Sequence, residues 1–319
     1  MQKIMLKNPV FLKDISIKAK RSRMAVSLFI LNVLASLIFI LILLVSNSSM
    51  AEFSHMDLQA FTWIFDGFII VECAFVCLMV PSEAGPSIAN ERERQTLDVL
   101  LTTKMSNFDI ILGKYLSSVA YTLLLLISLL PFLSVVLIYG SISFFQLLAV
   151  MLAVIETVMY LSAYGIFFST VVKKSSRASA CVLSMVFLLV FGTVILCTIT
   201  RLISVTTSNS YYFGNYFKEN LFNTGDYSFF ILYLNPATTV FDVLDKIVGF
   251  NAFSGSFNGM AGIIEHTADF LSPKSFFVKH WAPIGFVIQI IVSFYLLRLS
   301  AAKLNNTTRR VKRGKKNNN

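Results

Sequence analysis

The sequence predicts an all-α polytopic membrane protein with six transmembrane helices, and three observations carry that prediction. Its 319 residues are 56% hydrophobic and only 14% charged, with 30 Phe and a mean hydropathy of +0.72, which lies outside the range of a soluble domain. Its apolar runs are each about 20 residues long, enough at about 1.5 Å per residue to cross a hydrocarbon core of about 30 Å. Most of its Lys and Arg residues fall in blocks beside those runs, so the net charge of +10 is read as membrane orientation and attraction to anionic lipid, and not as a nucleic-acid interface.

Residues 1–23 hold Lys3, Lys7, Lys13, Lys18, Lys20, Arg21 and Arg23 with a single acid, Asp14. Asn8-Pro9 reads as an N-cap and first helical residue, and Phe11, Leu12, Ile15 and Ala19 recur at helical spacing. This predicts an amphipathic helix lying along the inner membrane surface. The predicted spans are 24–45, 61–80, 117–139, 147–168, 180–199 and 281–301, within a transmembrane domain of residues 24–301. The second is expected to stop at Pro81, and Pro131 to kink the third. Residues 302–319 form a basic tail.

Counting Lys and Arg by loop gives seven before the first span, none in 46–60, four in 81–116, none in 140–146 and three in 169–179. That alternation places the charged loops and both termini in the cytoplasm, which requires an even number of spans. The apolar piece Phe229 to Leu234, followed by Asn235-Pro236, is too short to cross, so 200–280 is read as a large outer-side segment with short re-entrant or interfacial helices. No internal repeat is evident.

No catalytic, metal or cofactor site is expected in this chain. Gly113-Lys114 lacks the upstream glycine of a phosphate loop, and His55, His266 and His280 do not form a zinc pattern. Cys73, Cys77, Cys181 and Cys197 all fall within spans, and Cys73 and Cys77 read as small packing residues. Three acids lie inside spans: Asp66, Glu72 and Glu156. Intramembrane carboxylates are costly and mark a pathway or an interface by default, the alternative being protonation or hydrogen bonding to neighbouring helices. Glu72 and Glu156, both near mid-membrane, are the candidates for an ion- or proton-coupled carrier; Asp66 lies nearer the outer surface.

Glu91 to Thr103 stands out as a charged island between apolar runs. Asn90 reads as its N-cap and Glu93 as the N3 residue of a capping box, while Leu97, Leu100 and Leu101 share one face opposite Glu91, Arg94 and Asp98. Ser106 with Asp109 forms a second capping pattern leading into the third span.

Glu91-Arg92-Glu93-Arg94-Gln95-Thr96-Leu97-Asp98-Val99-Leu100-Leu101 resembles the Glu-Arg-Glu-x-x-Thr-Leu-x-x-Leu-Leu segment of the transmembrane (permease) subunits of bacterial type-2 ATP-binding-cassette (ABC) exporters. Asn8 to Asp14, Ile110 to Lys114 and Leu234-Asn235-Pro236 fit the same family; Lys104 departs from it, standing where many members have Pro. The resemblance implies an exporter permease of the bacterial cytoplasmic (inner) membrane, in which residues 91–101 are a coupling helix. Glu91, Arg92, Glu93, Arg94, Thr96, Leu97, Asp98, Leu100, Leu101 and Thr102 would then meet a separate ABC ATPase subunit, which carries the ATP and Mg. It also implies a dimer with a second permease copy or a paralogue.

Overall fold

The computed structural model describes residues 9–20, 22–48, 58–102, 105–138, 142–200, 226–248 and 280–317, among which there is no strand. The expectations for His55, His266, Lys104 and most of 200–280 lie outside these residues. Among the described residues six helical stretches are long and apolar enough to cross a membrane: Met24–Leu41, Phe65–Glu93, Asn107–Ile127, Phe144–Val171, Ser175–Thr200 and Trp281–Leu304. The chain is an all-α, multi-pass membrane protein.

In chain order the helices are α1 (Pro9–Ala19), α2 (Ser22–Ser48), α3 (Leu58–Ala84), α4 (Pro86–Glu93), α5 (Leu97–Leu101), α6 (Asn107–Ile127), α7 (Leu130–Ile138), α8 (Phe144–Val171), α9 (Ser175–Phe187), α10 (Pro236–Val248) and α11 (Trp281–Asn317). A π turn, Leu188–Gly192, follows α9, and a 3₁₀ helix, Asp226–Leu234, precedes α10. The hub is α8, against which α3, α4, α6, α9, α10 and α11 all pack. Its inward positions include Ala153, Thr157, Ser162, Ala163, Gly165 and Ser169, small residues that let membrane helices approach closely. At Gly165 the approach is closest, since a β-carbon there would collide with Ala84. Gly85 is pressed likewise, its hypothetical β-carbon falling 2.8 Å from Ser179 Cα at the α9 crossing.

Local signals account for most helix starts. Ser106 caps α6, accepting from Asp109 N–H at 3.1 Å and donating to its carboxylate at 2.5 Å. Ser143 and Gln146 form a full capping box at α8. Two expectations are corrected. Pro81 does not end the second span, because α3 runs through it to Ala84; in a bundle, neighbouring groups compensate for the missing N–H. Nor does Asn90 start a helix: Pro86 does, its ring suited to a first turn, so that Asn90 lies inside α4.

At the end of the bundle away from α4, the 3₁₀ helix and α10 are too short to span and fold back onto the helices. Tyr160 of α8 donates to Leu234 O at 3.0 Å, Gln289 of α11 donates to Tyr233 O at 3.0 Å, and the Tyr233 ring stacks on Trp281 with centroids 3.8 Å apart. Asp242 of α10 accepts from Ala282 N–H at 3.1 Å, capping α11 from another element, and pairs with Lys246 at 2.8 Å. Burial raises the Asp242 carboxyl from its ordinary pKa, against the opposing pull of Lys246 and the Ala282 amide.

Candidate functional site

The charged island folds as two helices, α4 and α5, joined at Arg94 to Thr96, and not as one helix over 91–101. The break is a Schellman motif: Thr96 N–H donates to Glu91 O at 2.9 Å and Gln95 N–H to Arg92 O at 3.2 Å. Gln95 takes the left-handed conformation, φ 57°, that glycine usually supplies.

Each residue of Glu91-Arg92-Glu93 ties this segment to a different helix. Glu91 accepts from Lys114 of α6 at 2.5 Å, and the same ammonium donates to Asp14 of α1 at 2.8 Å. Lys114 is buried, so its charge is balanced by these two carboxylates in place of water. Ser117 adds a longer contact to Asp14, 3.4 Å. Arg92 reaches the last turn of α8, donating to Thr170 O at 3.0 Å and Val172 O at 3.1 Å, where carbonyls lack intrahelical donors and a cation is favoured. Glu93 caps α9, accepting from Ser175 N–H at 3.1 Å and Ser175 hydroxyl at 2.5 Å. The first turn of α4 is itself capped from α8, with Ser169 Oγ accepting from Ile88 and Ala89 N–H at 2.8 and 3.0 Å.

The leucines of the island turn inward. Leu97 is 4% exposed and belongs to the bundle core, and Leu100 and Leu101 pack against it. Facing outward are Arg94, Gln95, Thr96, Asp98, Thr102 and Val99, the last 69% exposed. Arg94 donates to Asn90 of α4, and Thr96 and Thr102 hydroxyls return to local carbonyls. The result is a segment held by charged side chains to α6, α8 and α9, and through Lys114 to α1, with one short exposed edge.

A family model of ABC-2 family transporter proteins matches residues 73–301, which include the whole of this segment. The chain belongs to the ABC-2 family. None of the curated proteins matches it. As an ABC-2 membrane domain it is an ABC permease that carries no nucleotide-binding motif of its own, and the contacts just described lie within the part of the permease that the family defines, except those from α1.

Among the described residues no hydrogen bond joins Asp66, Glu72 and Glu156. Asp66 and Glu72 are buried along α3, and neither oxygen of Glu72 has a hydrogen-bond partner among the described residues. Glu156 is half-buried on α8. Sequence reasoning missed Lys114, Asp14, Ser169 and Ser175. Two of them carried a usable signal: Lys114 interrupts the apolar run around Ile110 to Leu112, and Asp14 is the lone acid of a basic segment. The serines carried none.

Proposed function

We propose that the chain is the membrane-spanning half of an ATP-driven exporter, powered by a separate ABC ATPase that docks on the exposed edge of α4–α5 and holds the ATP and Mg. The observation that carries this reading is the anchoring of Glu91, Arg92 and Glu93 to α6, α8 and α9. A push on Arg94 to Val99 is thereby delivered to three spans at their ends, as a coupling helix requires. Arg94 and Asp98 offer charges to fix orientation and Val99 an apolar anchor. Glu91, Arg92 and Leu97 act behind that edge as its support. The loop charges support a cytoplasmic position for the segment and for both termini, in a bacterial cytoplasmic membrane, and the family resemblance supports export and pairing with a second permease copy or paralogue.

The test is to purify the tagged chain from its native membrane, identify an ABC ATPase in the eluate, and repeat with Val99→Asp. Retention of the ATPase by the parent and its loss from the variant is expected, with export that stops on ATP depletion and survives collapse of the proton gradient. Transport that follows the proton gradient and needs no ATPase would instead favour a carrier using Glu72 and Glu156.

A further inference from the structure

The fifth span is not one continuous α-helix: α9 ends at Phe187, Leu188–Gly192 forms a π turn, and α-helix resumes over 193–200. A π turn accommodates one additional residue and shifts the carbonyl register, and in hydrocarbon a displaced carbonyl has to find a donor. Asn235, 0% exposed, supplies it. Its Nδ2 donates to Val190 O at 3.0 Å and to Thr193 Oγ1 at 2.9 Å, and Thr193 in turn donates to Leu189 O at 2.6 Å. The other side of the carboxamide is committed to α10, with Oδ1 accepting from Ala237 N–H at 2.9 Å. The Asn235 carbonyl is held as well, accepting from Thr238 at 2.9 Å and from Gln289 of α11 at 3.4 Å. One side chain therefore joins the irregular turn of the fifth span to the 3₁₀–α10 element. Between them lies an apolar cavity of about 360 Å³, walled by Val190 and Phe191 of the π turn, Val240 and Phe241 of α10, and Cys73 and Cys77 of α3.

We propose that the π turn is a two-state switch with Asn235 as its latch. While the carboxamide is bonded, the additional residue stays in the turn. Once it is released, the turn relaxes to α-helix, and each residue of 193–200 takes the position now held by the residue after it, a rotation of about 100°. Leu196, now lipid-facing, then enters the buried place of Cys197, and Cys197 moves to the exposed place of Thr198. Val190 and Phe191 change their presentation to the cavity in the same step, so whatever fills the cavity and the state of the latch act on each other. The switch requires nothing of the ATPase partner, so it stands or falls separately from the docking reading.

The experiment uses the full chain in lipid nanodiscs with Cys73, Cys77 and Cys181 replaced by Ser, leaving Cys197 as the only thiol, and measures its rate of reaction with a membrane-permeant maleimide. Cys197 is 3% exposed and is expected to react slowly in this parent. Asn235→Ala should raise the rate on the order of tenfold, towards that of a reference chain carrying Thr198→Cys with Cys197→Ser. Thr193→Val, which removes one acceptor and keeps the Val190 bond, should give an intermediate rise, and it decides the matter if Asn235→Ala does not fold. Cys197 as protected in these variants as in the parent overturns the switch. So does equal labelling of a control cysteine at Ala163 in α8, which would show a loosened bundle.

Discussion

Glu93 accepts both the backbone N–H and the hydroxyl of Ser175, at 3.1 and 2.5 Å, so the end of α4 caps the beginning of α9. Removing either partner should lower the thermal midpoint of the purified chain, through Glu93→Gln or Ser175→Ala. Ser175→Ala removes the hydroxyl bond and keeps the backbone N–H to Glu93, so it should cost less than the change at Glu93, and adding it to the Glu93 variant should lower the midpoint by less than it does alone. Additive shifts would mean that the two residues act independently.

Lys114 supports two carboxylates on two different elements, Asp14 and Glu91, while itself buried. Lys114→Met leaves those acids facing each other without a cation, and breaking such a pair costs about 3–5 kcal/mol. Hydrogen exchange should show α1 losing protection first, since Asp14 is its charged tie to α6. Unchanged protection of α1 would show that its other contacts, the Lys18–Glu83 pair at 3.0 Å among them, hold it without Asp14.

Gln95 occupies the left-handed turn between α4 and α5 against the preference of an L-residue. Gln95→Gly is expected to stabilise the chain by about 1 kcal/mol, and Gln95→Val, β-branched at the same φ, to destabilise it. Thermal unfolding of the two variants beside the parent checks the sign of each effect.

Gly165 meets Ala84 where α8 crosses the second span, with no room for a β-carbon. Gly165→Ala should therefore cost about 1–3 kcal/mol through overpacking. Ala84→Gly in the same chain should recover part of the loss, and absence of rescue would place the strain elsewhere.

The number of apolar crossing segments was legible because a bilayer imposes a length on apolar runs and the chain interrupts those runs with charge. The third, however, expected over 117–139 with a kink at Pro131, is the helix Asn107–Ile127, and Pro131 falls in the separate helix α7. The contacts that fix the charged island were not legible. Ser169 with Ile88 and Ser175 with Glu93 join residues about eighty positions apart, and no local pattern encodes a cap supplied by another helix. Asn90 followed by Glu93 imitates a capping box, but Pro86 and Ser169 had already started the helix. The spacing of Leu97, Leu100 and Leu101 correctly marked one apolar face; periodicity cannot say whether that face meets a partner or the chain's own core. Asn235-Pro236 was legible as a break, whereas the π turn it serves has no sequence signature.

The central claim, that an ABC ATPase docks on the outward edge of α4–α5, is tested most directly by a photo-reactive amino acid placed at Val99 or at Leu97 in cells that express the partner. The exposed Val99 position should yield a crosslink to the ATPase subunit, and the buried Leu97 position should yield crosslinks only within the permease. Absence of any ATPase crosslink from Val99, in a chain that still exports, would contradict the account.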